Sequence, residues 1–399
     1  MNVNESMIPQ NGQIVTMSTA RQTRTIEQIN LDNLAHNLAV FKSRLKPTTR
    51  TLALVKADGY GTGALRVAQR LVEGGIDYLA VAAVDEGIPL RNALGSRIPI
   101  IVLNPNMSDH EAMFNINLEP EVYSIEQAHI LLHDLQHYRP ESFRDVPYPI
   151  HVKIDSGMHR LGFTDTQLRE LTELLHHTDV LRPVSVFTHL SVADDVDNDE
   201  YTLAQLDYFT RCADMLESAL RGRTLLRHVL NTSGTMRFTD YQMDMVRLGI
   251  GLYGIRTVFD GSEDDLRPVA SLNSVIISIK EWEAGTTIGY GRRGLLTRRS
   301  RIATVPIGYA DGYDRRYGCG ATSMWVAGTM CPTVGNVCMD AVMIDITDAP
   351  ADVRVGDRVE VFGNHVPIEA LATARGTIPY EVLTGVSPRV ARVYVDTSN

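Results

Sequence analysis

The sequence has no long hydrophobic run: nowhere in its 399 residues does an apolar segment approach the roughly 18 residues that a bilayer-spanning helix requires. A membrane-spanning helix is therefore not expected. Aromatic residues are scarce, at 7% with two tryptophans, and so are cysteines, of which there are four. Cys212, Cys319, Cys331 and Cys338 form neither a CxxC pair nor a Cys/His ligand spacing, so free thiols in a reducing compartment are expected, and no metal site. Basic residues are outnumbered by acidic ones, 38 to 48, and no long basic run exists, which argues against nucleic acid or an anionic membrane as partner. A small-molecule ligand fits better. The opening stretch MNVNESMIPQNGQIVTMSTARQ has no base before Arg21 and no continuous apolar core, so it lacks both parts of a secretory leader. Residues 1–22 are expected to form a flexible tail, the protein to be cytoplasmic, and Met17 to be a second candidate start, which the mass of the native chain would distinguish.

What is present is the composition of a globular protein, 44% hydrophobic and 22% charged, in a chain long enough for two domains. From residue 51 to about 254, short apolar runs alternate with helical patterns. The runs are TLALVK (51–56), DYLAVA (77–82), IPIIVL (98–103), LEPEVYS (118–124), PIHVKID (149–155), VSVFTHL (184–190), HVLNT (228–232) and MVRLGIGLYG (245–254). Segments between them, such as ALRVAQRLVEGG (64–75), carry apolar residues at helical spacing and end on glycine. Such alternation predicts parallel strands with crossover helices. Eight units favour a (β/α)8 TIM-like barrel over an open doubly wound sheet, and no GxGxxG follows the first strand. After Gly254, the runs SLNSVIISIKEWEAG, SRIATVPIGYAD, GTMCPTVGN, AVMIDIT and DRVEVFG are separated by glycine-rich turns without long helices, which predicts a mostly-β domain. The acidic stretch TVFDGSEDDLRPV (257–269) marks the boundary, so the division is a tail at 1–22, a barrel at 23–256 and a β domain at 257–399.

In such a barrel the active site lies at the carboxyl ends of the strands. Polar residues fall there: Lys56 after the first run, Lys153 and Asp155 on the fifth, His189 on the sixth, Asn231 and Thr232 on the seventh, Arg247 on the eighth. Taken singly, each has an ordinary structural reading, as a satisfied core histidine, an ion-pair arginine or an edge lysine. Their common placement is what points to a site, because an unpaired charge in a strand buried on both faces is costly. A lysine desolvated in such a pocket becomes nucleophilic and forms a Schiff base with a carbonyl, either of the substrate or of pyridoxal phosphate. The loops LNTSG and RLGIG stand where barrels commonly bind phosphate, although each alone is a weak signal.

KADGYG (56–61), VKIDSGMHRLGF (152–163), THLS (188–191), HVLNTSG (228–234), MVRLGIGLYG (245–254), GYGR (289–292), PIGYADGY (306–313), GNVCMD (335–340) and PYEV (379–382) resemble, in order and spacing, the alanine racemase family. The resemblance runs from about residue 23 to the C-terminus and implies pyridoxal 5'-phosphate as cofactor and L- and D-alanine as substrates. It implies that Lys56 holds the cofactor covalently, that Tyr60, Thr232, the backbone of Gly249 and Ile250, and Tyr380 contact its phosphate, and that Asn231 belongs to the same loop. His189 would lie against the pyridine ring, Arg247 would face its nitrogen, and Arg160 would hydrogen-bond the phenolic oxygen and help to bind the substrate carboxylate. Lys153 resembles a lysine that is often carbamylated in the family. Lys56 and Tyr290 would be the two acid/base groups, and Tyr290, Met339 and Tyr309 would come from the partner subunit of a head-to-tail homodimer with shared active sites.

An arginine at the pyridine nitrogen keeps that nitrogen unprotonated and the electron sink weak, so a carbanion is reprotonated before it is diverted. Racemisation removes a proton from one face of the α-carbon and returns one to the other, hence two groups on opposite sides. Four positions depart from the usual pattern: Thr62, where histidine is expected, Thr232 for serine, His159 for a small or amide residue, and Asn336 for arginine. Two rival readings are a decarboxylase or aldolase of the same cofactor fold, against which Arg247 argues, and a non-catalytic cofactor carrier, against which the β domain argues. The resemblance implies either a biosynthetic role, supplying D-alanine for peptidoglycan, or a catabolic one that consumes it.

Overall fold

A computed structural model describes residues 24–258 and 265–396. The expected tail at 1–22 lies outside these residues, as does the middle of the expected linker. The chain divides into two compact units. Among the described residues, one contains Leu34–Gly59 and those from Ala64 to Leu266; the other contains those up to Asn33, Tyr60–Gly63 and those from Arg267 onward.

The first of these is the expected barrel. Its strands are β2 (Arg50–Leu54), β3 (Tyr78–Val81), β4 (Ile100–Val102), β5 (Glu119–Val122), β6 (Tyr148–Lys153), β7 (Leu181–Phe187), β8 (Leu226–His228) and β9 (Met245–Leu248), one for each apolar run. All ladders are parallel, in the spatial order β8-β7-β6-β5-β4-β3-β2-β9. The ends are joined by two backbone bonds, Asp244 N to Arg227 O (3.1 Å) and Arg247 N to Leu230 O (2.9 Å). Helices cover the outside because their apolar residues recur on one stripe. In Ala64–Glu73 the buried residues are Val67, Ala68 and Leu71, and in Asp165–His176 they include Leu168, Leu171 and Leu175, behind a Thr164/Gln167 capping box.

The second unit carries a nine-stranded sheet. The expected C-terminal runs all form strands, beginning with β10 (Ala270–Val275) and including Ser300–Val305, Thr329–Val334, Val342–Asp345 and Arg358–Phe362. Two short helices, Ile368–Arg375 and Pro379–Thr384, join them. One strand differs from expectation. β1 (Ile26–Asn30), within the region assigned to the barrel, pairs antiparallel with β10 and parallel with Ala391–Val395, and so belongs to the β unit. The reason is in its pattern: IEQIN is buried only at alternate residues, whereas a strand such as β3 is buried throughout.

Arg392 is the clasp of this unit. Its guanidinium pairs with the fully buried Glu27 carboxylate of β1 (3.0 Å) and donates to the carbonyls of Gly61 (3.0 Å), Val386 (2.7 Å), Ser387 (2.6 Å) and Val390 (2.7 Å). Together with the Tyr394 hydroxyl, which donates to Thr62 O at 3.1 Å, it fixes the segment carrying Tyr60. Arg392→Met should remove the ion pair to the buried Glu27 carboxylate together with the four carbonyl contacts and cost about 3 kcal/mol, read as a lowered midpoint in chemical denaturation.

Candidate active site

Alternation along the barrel strands sends every second side chain inward. On β5 these are Glu119 and Glu121, and on β6 His151 and Lys153. Ser185 and Phe187 on β7, His228 on β8 and Arg247 on β9 complete the set. They form two hydrogen-bonded groups. In one, Glu119 meets His151 Nε2 at 2.8 Å, His151 Nδ1 meets Ser185 Oγ at 2.7 Å, Ser185 Oγ meets His228 Nε2 at 2.9 Å, and His228 Nδ1 meets Arg247 at 3.2 Å. Arginine only donates, so His228 Nδ1 accepts and its Nε2–H donates to Ser185. Ser185 in turn donates to His151 Nδ1, and His151 Nε2–H donates to the Glu119 carboxylate. Each proton position follows from the one before it. Burial first, then Arg247, holds the His228 pKa well below the ordinary histidine value, in keeping with a neutral ring.

In the second group the Lys153 ammonium donates to Glu121 Oε1 at 2.8 Å, with the Glu121 side chain wholly buried. Burial pushes the Glu121 carboxyl up to about 7 even against the opposing pull of Lys153, Arg247 and Arg160. Lys153 and Arg247 also approach the Phe187 ring, at 5.6 and 5.3 Å from its centroid, and that ring stacks on His228.

Arg247 is held by backbone. It donates to the carbonyls of Thr188 (2.5 Å), His228 (2.8 Å) and Val229 (3.1 Å), at the ends of β7 and β8. Burial lowers its pKa to about 10, with Glu121 opposing, so it remains a cation at neutral pH. Nearby, His189 is pushed down to about 3 by burial and then by Arg247, Arg160, Lys153 and Lys56. Its imidazole is neutral chiefly because it is buried, and the four cations that add to the effect are what makes the site suit anions.

Lys56 ends the first barrel run, as expected. Its pKa is lowered by burial, then by Arg160, while Glu86 opposes. The backbone after it is left-handed: Ala57, Asp58, Gly59 and Tyr60 have φ of 52°, 51°, 62° and 56°. Non-glycine residues pay for that conformation, and here buttressing holds them in it. Glu86 accepts from Ala57 N (2.8 Å) and Ala82 N (2.7 Å), Gly59 N donates to Val55 O (2.9 Å), and Asp58 accepts from Ala64 N (2.9 Å).

After β8, Asn231 caps the short helix Thr232–Arg237 by accepting from Gly234 N. The Thr232 hydroxyl accepts from Gly249 N (3.1 Å) and Gly251 N (3.5 Å), which draws the two loops LNTSG and RLGIG together, with Ile250 between those glycines. Gly251 is required: a Cβ there would lie 2.5 Å from Thr232 Cγ2 and 2.6 Å from Phe41. Arg160 stands exposed on the loop after β6, whose turn is fixed by Asp155 accepting from Gly157 N and His159 N.

In the β unit, the Tyr60 and Tyr380 rings lie 6.1 Å apart, and burial, then Tyr380, raises the Tyr60 pKa. Tyr290, Tyr309 and Met339 are exposed by 70%, 45% and 54%, far from the norm for such side chains. One scaffold binds them: Asn336 donates to Tyr290 O (2.9 Å), Tyr309 N to Cys338 O (3.1 Å) and Ala310 N to Met339 O (3.0 Å). The sequence-expected residues therefore fall into two clusters, one in each unit. Glu121, Glu86, His228 and Phe187 are not expected from the sequence. For Glu121 a signal existed, since a carboxylate in a barrel strand needs a partner as much as Lys153 does.

A parallel barrel whose first strand ends on a lysine with a lowered pKa, with a hydroxyl-and-glycine turn after the seventh, has the architecture of a barrel enzyme of lysine-and-carbonyl chemistry. The chain belongs to the alanine racemase family: residues 29–257 match the description "Alanine racemase, N-terminal domain" and residues 269–394 "Alanine racemase, C-terminal domain". It is 37% identical over 390 residues to alanine racemase 2 of Caldanaerobacter subterraneus subsp. tengcongensis, covering 94% of this chain and 95% of that one. Alanine racemase of Clostridium difficile 630 superposes with a TM-score of 0.86 at 37% identity, covering 94% of this chain and 96% of that chain. Alanine racemase of Bartonella henselae, with covalently bound pyridoxal phosphate, gives 0.83 at 27% identity, covering 94% and 100%.

Because the folded His189 takes up no proton until about pH 3 while the unfolded ring does so near its ordinary value of 6.5, stability should fall as pH drops through that interval. Histidine NMR should show a resonance with no protonation shift between those limits, absent in His189→Gln.

Proposed function

We propose that the protein interconverts L-alanine and D-alanine on pyridoxal 5'-phosphate. Arg247 carries this reading: a cation buried among three carbonyls at the barrel's catalytic end suits an unprotonated pyridine nitrogen and a short-lived carbanion, which favours racemisation over decarboxylation. The residues present fit the cofactor. Lys56 has an ammonium disfavoured by burial and by Arg160, as addition to an aldehyde requires. We assign Thr232, Gly249, Ile250, Tyr60 and Tyr380 to the phosphate, with Asn231 shaping the turn, His189 to the ring face, and Arg160 and Arg247 to the phenolic oxygen and the ring nitrogen.

When bound, pyridoxal phosphate supplies the electron sink that acidifies the substrate α-carbon. Lys56 moves a proton at one face of that carbon, and the partner's Tyr290 at the other. Arg160, with the partner's Met339 backbone N–H, orients the substrate carboxylate, and the partner's Tyr309 lies toward the entrance. The exposure of Tyr290, Tyr309 and Met339 on one braced scaffold supports a homodimer with shared sites. We place the enzyme in the cytoplasm, where its four free thiols would persist. No described helix is long and apolar enough to cross a membrane.

Chiral chromatography should show L-alanine and D-alanine converging on a racemic mixture. Carbon dioxide or aldehyde release without D-alanine would assign the chain to decarboxylase or aldolase chemistry instead. Borohydride should fix the cofactor to Lys56, and peptide mapping that finds it on another lysine would sink the assignment. Tyr290→Phe should lower kcat by roughly 100-fold or more, the usual range for loss of a general acid/base. Unchanged turnover in both directions would remove Tyr290 from that role.

A further inference from the structure

Glu121 has no part in the chemistry set out above, yet its carboxylate is the most deeply buried acid at the catalytic end of the barrel. Its side chain is 0% exposed, and its Oε1 accepts from the Lys153 ammonium at 2.8 Å. Its Oε2 is also buried and has no hydrogen-bond partner among the described residues. A second oxygen left bare in this way is expensive, and the pair is retained at the centre of a charge cluster formed by Lys56, Lys153, Arg160 and Arg247. The strand register explains the pairing: Glu121 stands opposite His151 across the β5/β6 ladder, so the lysine two residues on, on the same face, reaches its carboxylate.

We propose that Glu121 is the resident anion of this site, a positioning residue that holds Lys153 as an unmodified ammonium and so opposes its carbamylation. Carbamylation begins with a neutral amine. The amine nitrogen adds to carbon dioxide, the new N–C bond forms, and one proton leaves, giving a carbamate anion. Glu121 opposes both halves of that change, since it stabilises the protonated amine at 2.8 Å and would face the product with a like charge inside a buried pocket. Phe187 favours the same state, because a cation is attracted to the ring face on which Lys153 sits at 5.6 Å. The negative charge that balances the cluster is thus encoded in the chain rather than acquired from dissolved carbon dioxide.

The test uses the full-length holoenzyme and 13C-bicarbonate as probe, and only its kinetic arm rests on the racemase reading. Wild-type protein should show no protein-bound carbamate resonance by 13C NMR, and its racemisation rate should be unchanged in carbon-dioxide-free buffer. Glu121→Gln should lose roughly tenfold or more in kcat/KM in that buffer, gain a carbamate resonance when bicarbonate is added, and recover activity with it. Glu121→Gln/Lys153→Met should gain neither resonance nor activity. A carbamate resonance in wild type that vanishes in Lys153→Met overturns the proposal, whether or not any Glu121 variant folds. Wild-type kinetics in Glu121→Gln without a carbamate resonance would overturn the positioning role. Failure of the racemase reading would instead appear as no turnover in wild type, with the NMR outcomes still readable.

Discussion

The organisation of the barrel interior follows from one electrostatic constraint: several cations, from buried Arg247 and Lys153 to exposed Arg160, converge on one end of the barrel. Lys56, Lys153, Arg160 and Arg247 all act to keep His189 uncharged, and Arg160 and Lys153 act against the charge on Lys56 itself. Such a cluster is useful for gathering a phosphate, a phenolate and a carboxylate, but a protein must tolerate it before any ligand arrives. Three devices distribute the strain. Glu121 offsets part of the charge, backbone carbonyls solvate Arg247, and the imidazoles of His189 and His228 remain neutral instead of adding to the total. The pKa of Lys56 is lowered by burial first and by the same crowding second.

Orientation is handled separately from charge. The row from Arg247 through His228, Ser185 and His151 to Glu119 has a single sense of donation, because one end cannot accept and the other is a carboxylate. A neutral histidine has two tautomers, and this arrangement selects one at each of two positions. The row runs along the barrel interior from Arg247 to Glu119, so it helps to fix the Arg247 guanidinium.

Much of this was legible in the sequence, and the remainder was hidden for definable reasons. Barrel strands are buried on both faces, so their apolar runs stand out, and charged residues at their ends, such as Lys56 and Arg247, are conspicuous against that background. Glu121 is harder to see. In LEPEVYS, acids at alternate positions look like the wet face of an ordinary strand, and only closure of the barrel turns that face inward. β1 escaped for a different reason: five residues of modest hydropathy form a strand only because β10 and Ala391–Val395, remote in sequence, satisfy both its edges. The turn after Lys56 carries one glycine, Gly59, as a cue, but the left-handed backbone of Ala57 and Asp58 depends on Glu86, 28 residues or more along the chain, and has no local signature.

The carbonyl cage around Arg247 bears on how this barrel could diverge. Thr188, His228 and Val229 present oxygens that belong to the main chain, so no side-chain substitution removes them. A carboxylate introduced at position 247 would meet three negative dipoles with nothing to donate to them, and a lysine could satisfy them only from a single point. Replacing the charge at position 247 therefore demands that β7 and β8 end differently, not merely that one codon change. The charge at this position is thus set by the path of the backbone as much as by the side chain that occupies it.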